Sequence, residues 1–170
     1  LETKLEDNFV LQEYYKKPYS QGGFLNFKEI NQKALRLMKE YDVRAASEKV
    51  PARALSGGNQ QKAIIARELD LKPDLLIAAN PTRGLDVGAI EYIHKALIQQ
   101  RDQNKAVLLM SFELDEILNV SDRIIVMYDG KIIATLNAKE TNEQEIGLMM
   151  AGTSYEEVLR LREEGGVNNE

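Results

Sequence analysis

Two short stretches carry residue types that could do chemistry. Leu55-Ser56-Gly57-Gly58-Asn59-Gln60-Gln61-Lys62 runs directly into the helix-forming Ala63-Ile64-Ile65-Ala66-Arg67. A serine and two glycines at a helix start bring backbone N–H groups, a hydroxyl and the positive end of the helix dipole to one place, with no side chain to hold a ligand off. Such a place suits a phosphate, although a bare Ser-Gly-Gly more often marks an ordinary capped helix after a glycine turn. The second stretch is Asn80-Pro81-Thr82-Arg83-Gly84-Leu85-Asp86-Val87-Gly88, which follows an apolar run and opens another helical pattern. Strand, turn and helix in that order at the carboxyl edge of a parallel sheet is where α/β folds hold ligands.

The elements that must position these stretches change character along the chain. Residues 1–52 read as helices and loops without a convincing strand. Leu5, Phe9, Val10 and Tyr14 recur at helical spacing, and Lys16-Lys17-Pro18 and Gln21-Gly22-Gly23 break the pattern. A second helix is expected over about 26–41, with Ile30, Ala34, Leu37, Met38 and Tyr41 as its apolar stripe. From Leu55 onward, apolar runs of strand length (75–79, 106–110, 124–127) alternate with helical patterns over about 59–71, 87–103 and 113–119. Runs without polar alternation predict strands buried on both faces, and the alternation predicts parallel crossovers in an α/β fold. Asp129-Gly130 predicts a hairpin joining 124–128 to 131–136. Two more helical patterns, near 142–150 and 154–164, precede Gly165-Gly166-Val167-Asn168-Asn169, which reads as a frayed end.

Composition removes whole classes of function. The chain has 170 residues, no cysteine and one histidine, His94, which excludes thiolate chemistry and cysteine-based zinc sites and leaves a multi-histidine metal centre or Ser-His-Asp triad untenable. Lys and Arg number 22 against 27 Asp and Glu, a net charge of −5 that argues against nucleic-acid binding. No run approaches the roughly 20 apolar residues of a membrane helix, and no leader-like segment opens the chain, so a soluble domain is expected.

Taken together, the two stretches resemble the nucleotide-binding domain of ATP-binding cassette (ABC) transporters, most closely the second cassette of tandem-cassette ATPases serving sugar and nucleoside importers. Leu55-Ser56-Gly57-Gly58-Asn59-Gln60-Gln61 is similar to that family's signature in its Asn-Gln-Gln form, and Pro81-Thr82-Arg83-Gly84-Leu85-Asp86 to its proline turn and D-loop. The likeness runs over about 3–150. It implies a P-loop NTPase fold of mostly parallel sheet plus a helical subdomain: 1–52 as part of that subdomain, 53–138 as signature helix and half of the ATPase core, and 139–170 as a helical tail.

The departures from the family pattern are as informative. The resemblance puts a magnesium-holding Asp at position 79 and a water-polarising Glu at 80, where this sequence has Ala79 and Asn80, a degenerate Walker B strand. It puts the switch histidine where Phe112 stands, after Ser111. No G-x-x-x-x-G-K-[ST] phosphate loop occurs in the sequence, so the chain is expected to be a piece of a longer protein and to bind ATP weakly by itself. In the family, two cassettes close head to tail, each ATP held by one cassette's phosphate loop and the other's signature. Leu55, Ser56, Gly57, Gly58, Asn59, Gln60 and Asp86 are then expected to serve ATP and Mg²⁺ bound by a partner cassette, while this cassette's own site is deficient. The implied partners are the first nucleotide-binding domain of the same protein, transmembrane permease subunits and, indirectly, a solute-binding protein, at the cytoplasmic face of the membrane. Other readings are a soluble ABC-type ATPase domain in translation or DNA repair, and a non-hydrolysing interaction module.

Several residues have plainer expectations. His94 reads as an ordinary helix residue, and Asp115-Glu116 as first-turn helix stabilisers. Glu6, Asp7, Glu163 and Glu164 read as solvated charge. Tyr14, Tyr15 and Tyr19 fit either core or an exposed coupling surface, and Leu148, Met149 and Met150 fit packing on the sheet or on a partner, with the core as the default expectation.

Overall fold

The computed structural model describes residues 2–165. It divides into two compact units, Leu1–Leu76 with Pro81–Val107, and Ile77–Asn80 with Leu108–Glu170.

The first unit is mainly helical: α1 (Leu5–Phe9), α2 (Phe27–Glu40), α3 (Gly57–Asp70) and α4 (Val87–Asp102). Asn26 starts α2 by accepting the Glu29 N–H at 3.4 Å, and the stripe Ile30, Ala34, Leu37 then falls on the buried side. Ala34 and Leu37 pack with Leu5 and Phe9 of α1, Val43, Leu55, and Ala63 and Ala66 of α3. Lys33 shares the buried stripe. Its ammonium pairs with Glu13 and, at 3.0 Å, with Asp70, and it lies 5.1 Å from the centre of the Tyr19 ring. Burial works against the Lys33 charge, but its two carboxylate partners outweigh that and hold the amine above its usual range.

Two expectations fail in this unit. The first helix stops at Phe9, and β1 (Ser20–Gln21) and β2 (Phe24–Leu25) form a small antiparallel hairpin across Gly22 and Gly23, at φ 61° and 84°. Strands of two residues are too short for periodicity to reveal. Glu6 is buried rather than solvated, because the face of α1 that carries it packs down with Leu5, and its carboxylate takes the Asn31 amide at 3.4 Å.

The second unit contains α5 (Leu114–Val120), the strands β5 (Arg123–Tyr128) and β6 (Lys131–Asn137), α6 (Glu143–Met150) and α7 (Tyr155–Glu163). Asp129 and Gly130 both take positive φ, as a tight hairpin turn requires, and Ile124 pairs with Leu136 and Val126 with Ala134. Those four side chains face a core completed by Ile146, Met149 and Val158. Met149 is fully buried, whereas Met150, about 100° further round α6, is exposed rather than in the core. Glu145 is buried among them, accepting from Thr141 and from the Arg162 guanidinium. Burial alone would raise the Glu145 carboxyl; the Arg162 and Thr141 hydrogen bonds more than offset this and hold it below the usual carboxylate range.

The strands β3 (Leu75–Ala79) and β4 (Ala106–Met110) each pass from the first unit into the second and pair with one another. Ala106 N–H donates to Asp74 at 2.9 Å and Asn80 N–H to Met110 at 2.7 Å, a parallel order. These strands are not buried on both faces as expected. Leu75, Ile77, Leu108 and Met110 are 45–57% exposed, and Ile125 and Met127 on β5 are bare as well. Sequence apolar on both faces is suited to two covering layers, and the described residues cover one. Among the described residues no helix is long and apolar enough to cross a membrane. Of the stretch read as a frayed end, 166–169 lie outside the described residues.

Candidate functional site

The first unit brings most of the chemically suited residues together at the start of α3. Leu55 is buried, and its carbonyl accepts the Gln60 side-chain amide at 3.0 Å. Ser56 follows in extended geometry (φ −62°, ψ 157°) as the residue that begins α3, yet its hydroxyl makes no cap bond to the helix backbone. The first backbone bond of the helix runs from Gln60 N–H to the Ser56 carbonyl at 2.9 Å, so the amides of Gly57, Gly58 and Asn59 carry no backbone partner among the described residues. Ser56 and Gly57 are exposed, and Gly58 is buried.

The two glycines differ in what they permit. A Cβ on Gly58 would stand 3.0 Å from the Ala89 Cβ, so this glycine is what lets α3 and α4 approach. A Cβ on Gly57 would meet only Leu85 at 3.5 Å, an ordinary contact. Asp86 starts α4, accepting the Ala89 N–H at 2.9 Å, and its other carboxylate oxygen lies 3.6 Å from where the Gly58 Cβ would be. The turn before it is fixed by buried Thr82, whose carbonyl accepts Leu85 N–H at 3.2 Å, and by Gly84 at φ 73°. Signature-like stretch and D-loop-like turn are thus one surface of one unit: bare helix amides, a hydroxyl and an adjacent carboxylate.

One part of this surface was invisible to sequence reading. Asn59 Oδ1 accepts the Arg44 backbone N–H at 2.7 Å, while Asn59 Nδ2 donates to Ser56 Oγ at 3.0 Å. Residue 44 lies just beyond the turn at 41–42, in which Asp42 has φ 47°. Lys62 donates to the Asp42 carboxylate at 2.9 Å and lies 4.6 Å from the centre of the Tyr92 ring. Hydrogen bonds from Lys62 and Arg44 hold the Asp42 carboxyl below its usual range, and burial pushes the Tyr92 hydroxyl up to about 12. No spacing rule links 42–44 to 56–62, because they meet only through folding.

The second unit holds the other group. Ala79 ends β3 with only a methyl group, and Asn80 sits at φ 45°, in the left-handed region that asparagine tolerates. Phe112 is 77% exposed, and Ser111 Oγ is occupied by the Glu113 N–H at 3.0 Å. A methyl, a neutral amide and a phenyl ring offer neither an anionic ligand for a hard cation nor a base. His94 lies half-buried in α4. Asp115 and Glu116 fall in the first turn of α5, with Glu116 buried.

The fold that positions these groups is that of the ATP-binding cassette, an α/β P-loop NTPase. The chain matches a dimeric ATP-binding cassette solved in a post-hydrolysis state with ADP and Pi at a TM-score of 0.64 and 25% identity, covering 81% of this chain and 57% of that one. It also matches an inward-facing putative metal-chelate type ABC transporter at a TM-score of 0.70 over 89% of this chain and 59% of that chain, where 15% identity speaks for fold alone.

Among sequences, the chain is 62% identical over 157 residues to the guanosine import ATP-binding protein NupO of Bacillus subtilis, and 60% identical over 157 residues to the nucleoside import ATP-binding protein NupA of Lactococcus lactis. In both cases the match takes 92% of this chain and 31% of the relative, so the chain spans under a third of these proteins' length. The ribose import ATP-binding protein RbsA of Bacillus subtilis is 36% identical over 89% of the chain and 30% of its own length. No family model matches. Its homologues are thus ATP-binding proteins of nucleoside and sugar import.

Proposed function

We propose that this chain is the signature-bearing part of a cassette in an import ATPase for nucleosides or simple sugars, the second of two cassettes in one protein, working with permease subunits at the cytoplasmic face of the membrane. Ser56 and the Gly57 and Gly58 amides meet the γ-phosphate of an ATP seated on the partner cassette, and Asp86 lines the same junction. When bound, ATP supplies the phosphate charge that draws the two cassettes together, and its hydrolysis removes that charge. Ser56 donates its hydroxyl proton as a hydrogen bond, the glycine amides add two more donors, and the end of α3 contributes its dipole. Residues 79 and 80 provide no anionic ligand for Mg²⁺ and no base, so this cassette contributes to one working site and leaves its own without hydrolysis. The first unit carries the contact with the partner's nucleotide, and 139–170 are the helical tail, of which α6 and α7 pack on the β5–β6 hairpin.

The observation that carries this reading is the start of α3, where the Gly57, Gly58 and Asn59 amides have no backbone partner among the described residues, exposed Ser56 makes no cap bond, and an Asp86 carboxylate oxygen lies 3.6 Å from where a Gly58 Cβ would stand. The test is calorimetric titration of Mg-ATP into the full-length protein and its Ser56→Ala variant. The variant is expected to bind less tightly in the closed, two-cassette form. Equal affinity and equal turnover would sink the reading.

A further inference from the structure

We infer that Asn59 is a positioning residue, which aims the Ser56 hydroxyl outward and locks it to the 42–44 segment; the inference rests on the role given to Ser56 above. Which way an asparagine amide faces is usually ambiguous, but a backbone N–H can meet only the oxygen. The Arg44 N–H at 2.7 Å therefore fixes Oδ1, and Nδ2 must be the atom 3.0 Å from Ser56 Oγ. Nδ2 is a donor, so Ser56 Oγ accepts there. The hydroxyl proton is turned away from Asn59 and has no acceptor among the described residues.

A serine at a helix start ordinarily accepts from a backbone amide of the first turn. Here the side chain of Asn59 takes that place, and the consequence is twofold. The first-turn amides remain available to an anion, and the hydroxyl proton stays available as a further donor beside them. Each polar atom of Asn59 has a partner inside the chain, and the contribution assigned to it here passes through Ser56. The backbone of the 42–44 segment becomes part of the site's rigidity, with Lys62 holding Asp42 at 2.9 Å behind it.

The inference is tested in the full-length protein by ATPase kinetics on Asn59→Ala, Ser56→Ala and the double variant, with Asn59→Asp as a fourth. Because one oriented donor to developing charge is at stake, Asn59→Ala is expected to lower kcat about tenfold, with KM for ATP moved less than about twofold. On top of Ser56→Ala the same change is expected to alter kcat less than about twofold, since residues acting as one unit are not additive. Asn59→Asp keeps the acceptor for Arg44 N–H but offers Ser56 a second acceptor, which turns the hydroxyl proton inward, and is expected to lose at least as much turnover as Asn59→Ala. An equal kcat loss from Asn59→Ala in both backgrounds overturns the inference and leaves the role of Ser56 standing. Wild-type turnover in Asn59→Asp overturns it too. If Ser56→Ala alone costs nothing, the signature reading falls and takes this inference with it.

Discussion

The start of α3 and the ends of β3 and β4 make an instructive pair. Around the start of α3 side chains hold their neighbours in place: Gln60 holds Leu55, Asn59 holds Ser56, Asp86 holds Ala89. At the strand ends the side chains of Ala79, Asn80 and Phe112 hold nothing that could be a reactant, although the backbone beneath is just as well ordered, with Asn80 N–H on Met110 at 2.7 Å. Backbone pairing does not depend on which side chain sits at a strand end, so the same strand geometry carries inert groups as readily as reactive ones.

Four changes probe that contrast, beginning with the largest. Gly57→Asp in the full-length protein places a carboxylate where the Cβ has room but a phosphate would approach, and is expected to reduce ATPase turnover on the order of 100-fold, with the melting temperature nearly unchanged. Gly58 is the poorer probe because any Cβ there strains the α3–α4 packing at 3.0 Å. Arg162→Ala leaves Glu145 buried without its cation and is expected to cost about 2 kcal/mol in chemical denaturation, less than a fully buried pair would because Arg162 is partly solvated. Asp86→Ala removes the α4 cap and is expected to cost about 1 kcal/mol in the same measurement. On the function proposed above, Ala79→Asp adds one of several absent groups and is expected to change turnover by less than about twofold, because Asn80 and Phe112 still offer neither base nor switch. A marked rate gain there would mean that the strand-end site needs only its metal ligand.

Acid should weaken both units in the same direction. Burial works to raise the Asp70 carboxyl, but Lys33 and Arg36 hydrogen bonds leave it below its usual range, as Arg162 and Thr141 do for Glu145. A folded-state value below the unfolded one gives stability that is fully present above the unfolded pKa and lost as pH falls through the folded pKa. Denaturation midpoints should therefore be flat above about pH 5 and decline below about pH 4, the region of unperturbed carboxylates. In Arg162→Ala the decline should be shallower.

Sequence reading reached most of the long elements because their apolar spacing is redundant. The stripe of Ile30, Ala34 and Leu37 in α2, and the Asp129-Gly130 turn of β5–β6, each follow from a local rule that folding did not override. What it missed depends on distant partners. Glu6 is buried because Asn31 comes to meet it, Lys33 because Glu13 and Asp70 do, and Asn59 gains its role only from a backbone amide in another segment. The residue types around Ser56 and Asp86 were legible, while the orientation of their polar atoms was not.

The bared alternate residues of β3 and β4 also decide how this polypeptide behaves as a substance. Strand faces rich in Leu, Ile and Met attract one another in water, and a net charge of −5 is modest repulsion for a chain of this size. Purified by itself the chain is therefore expected to self-associate in a way that depends on concentration and salt, which light scattering over a dilution series checks.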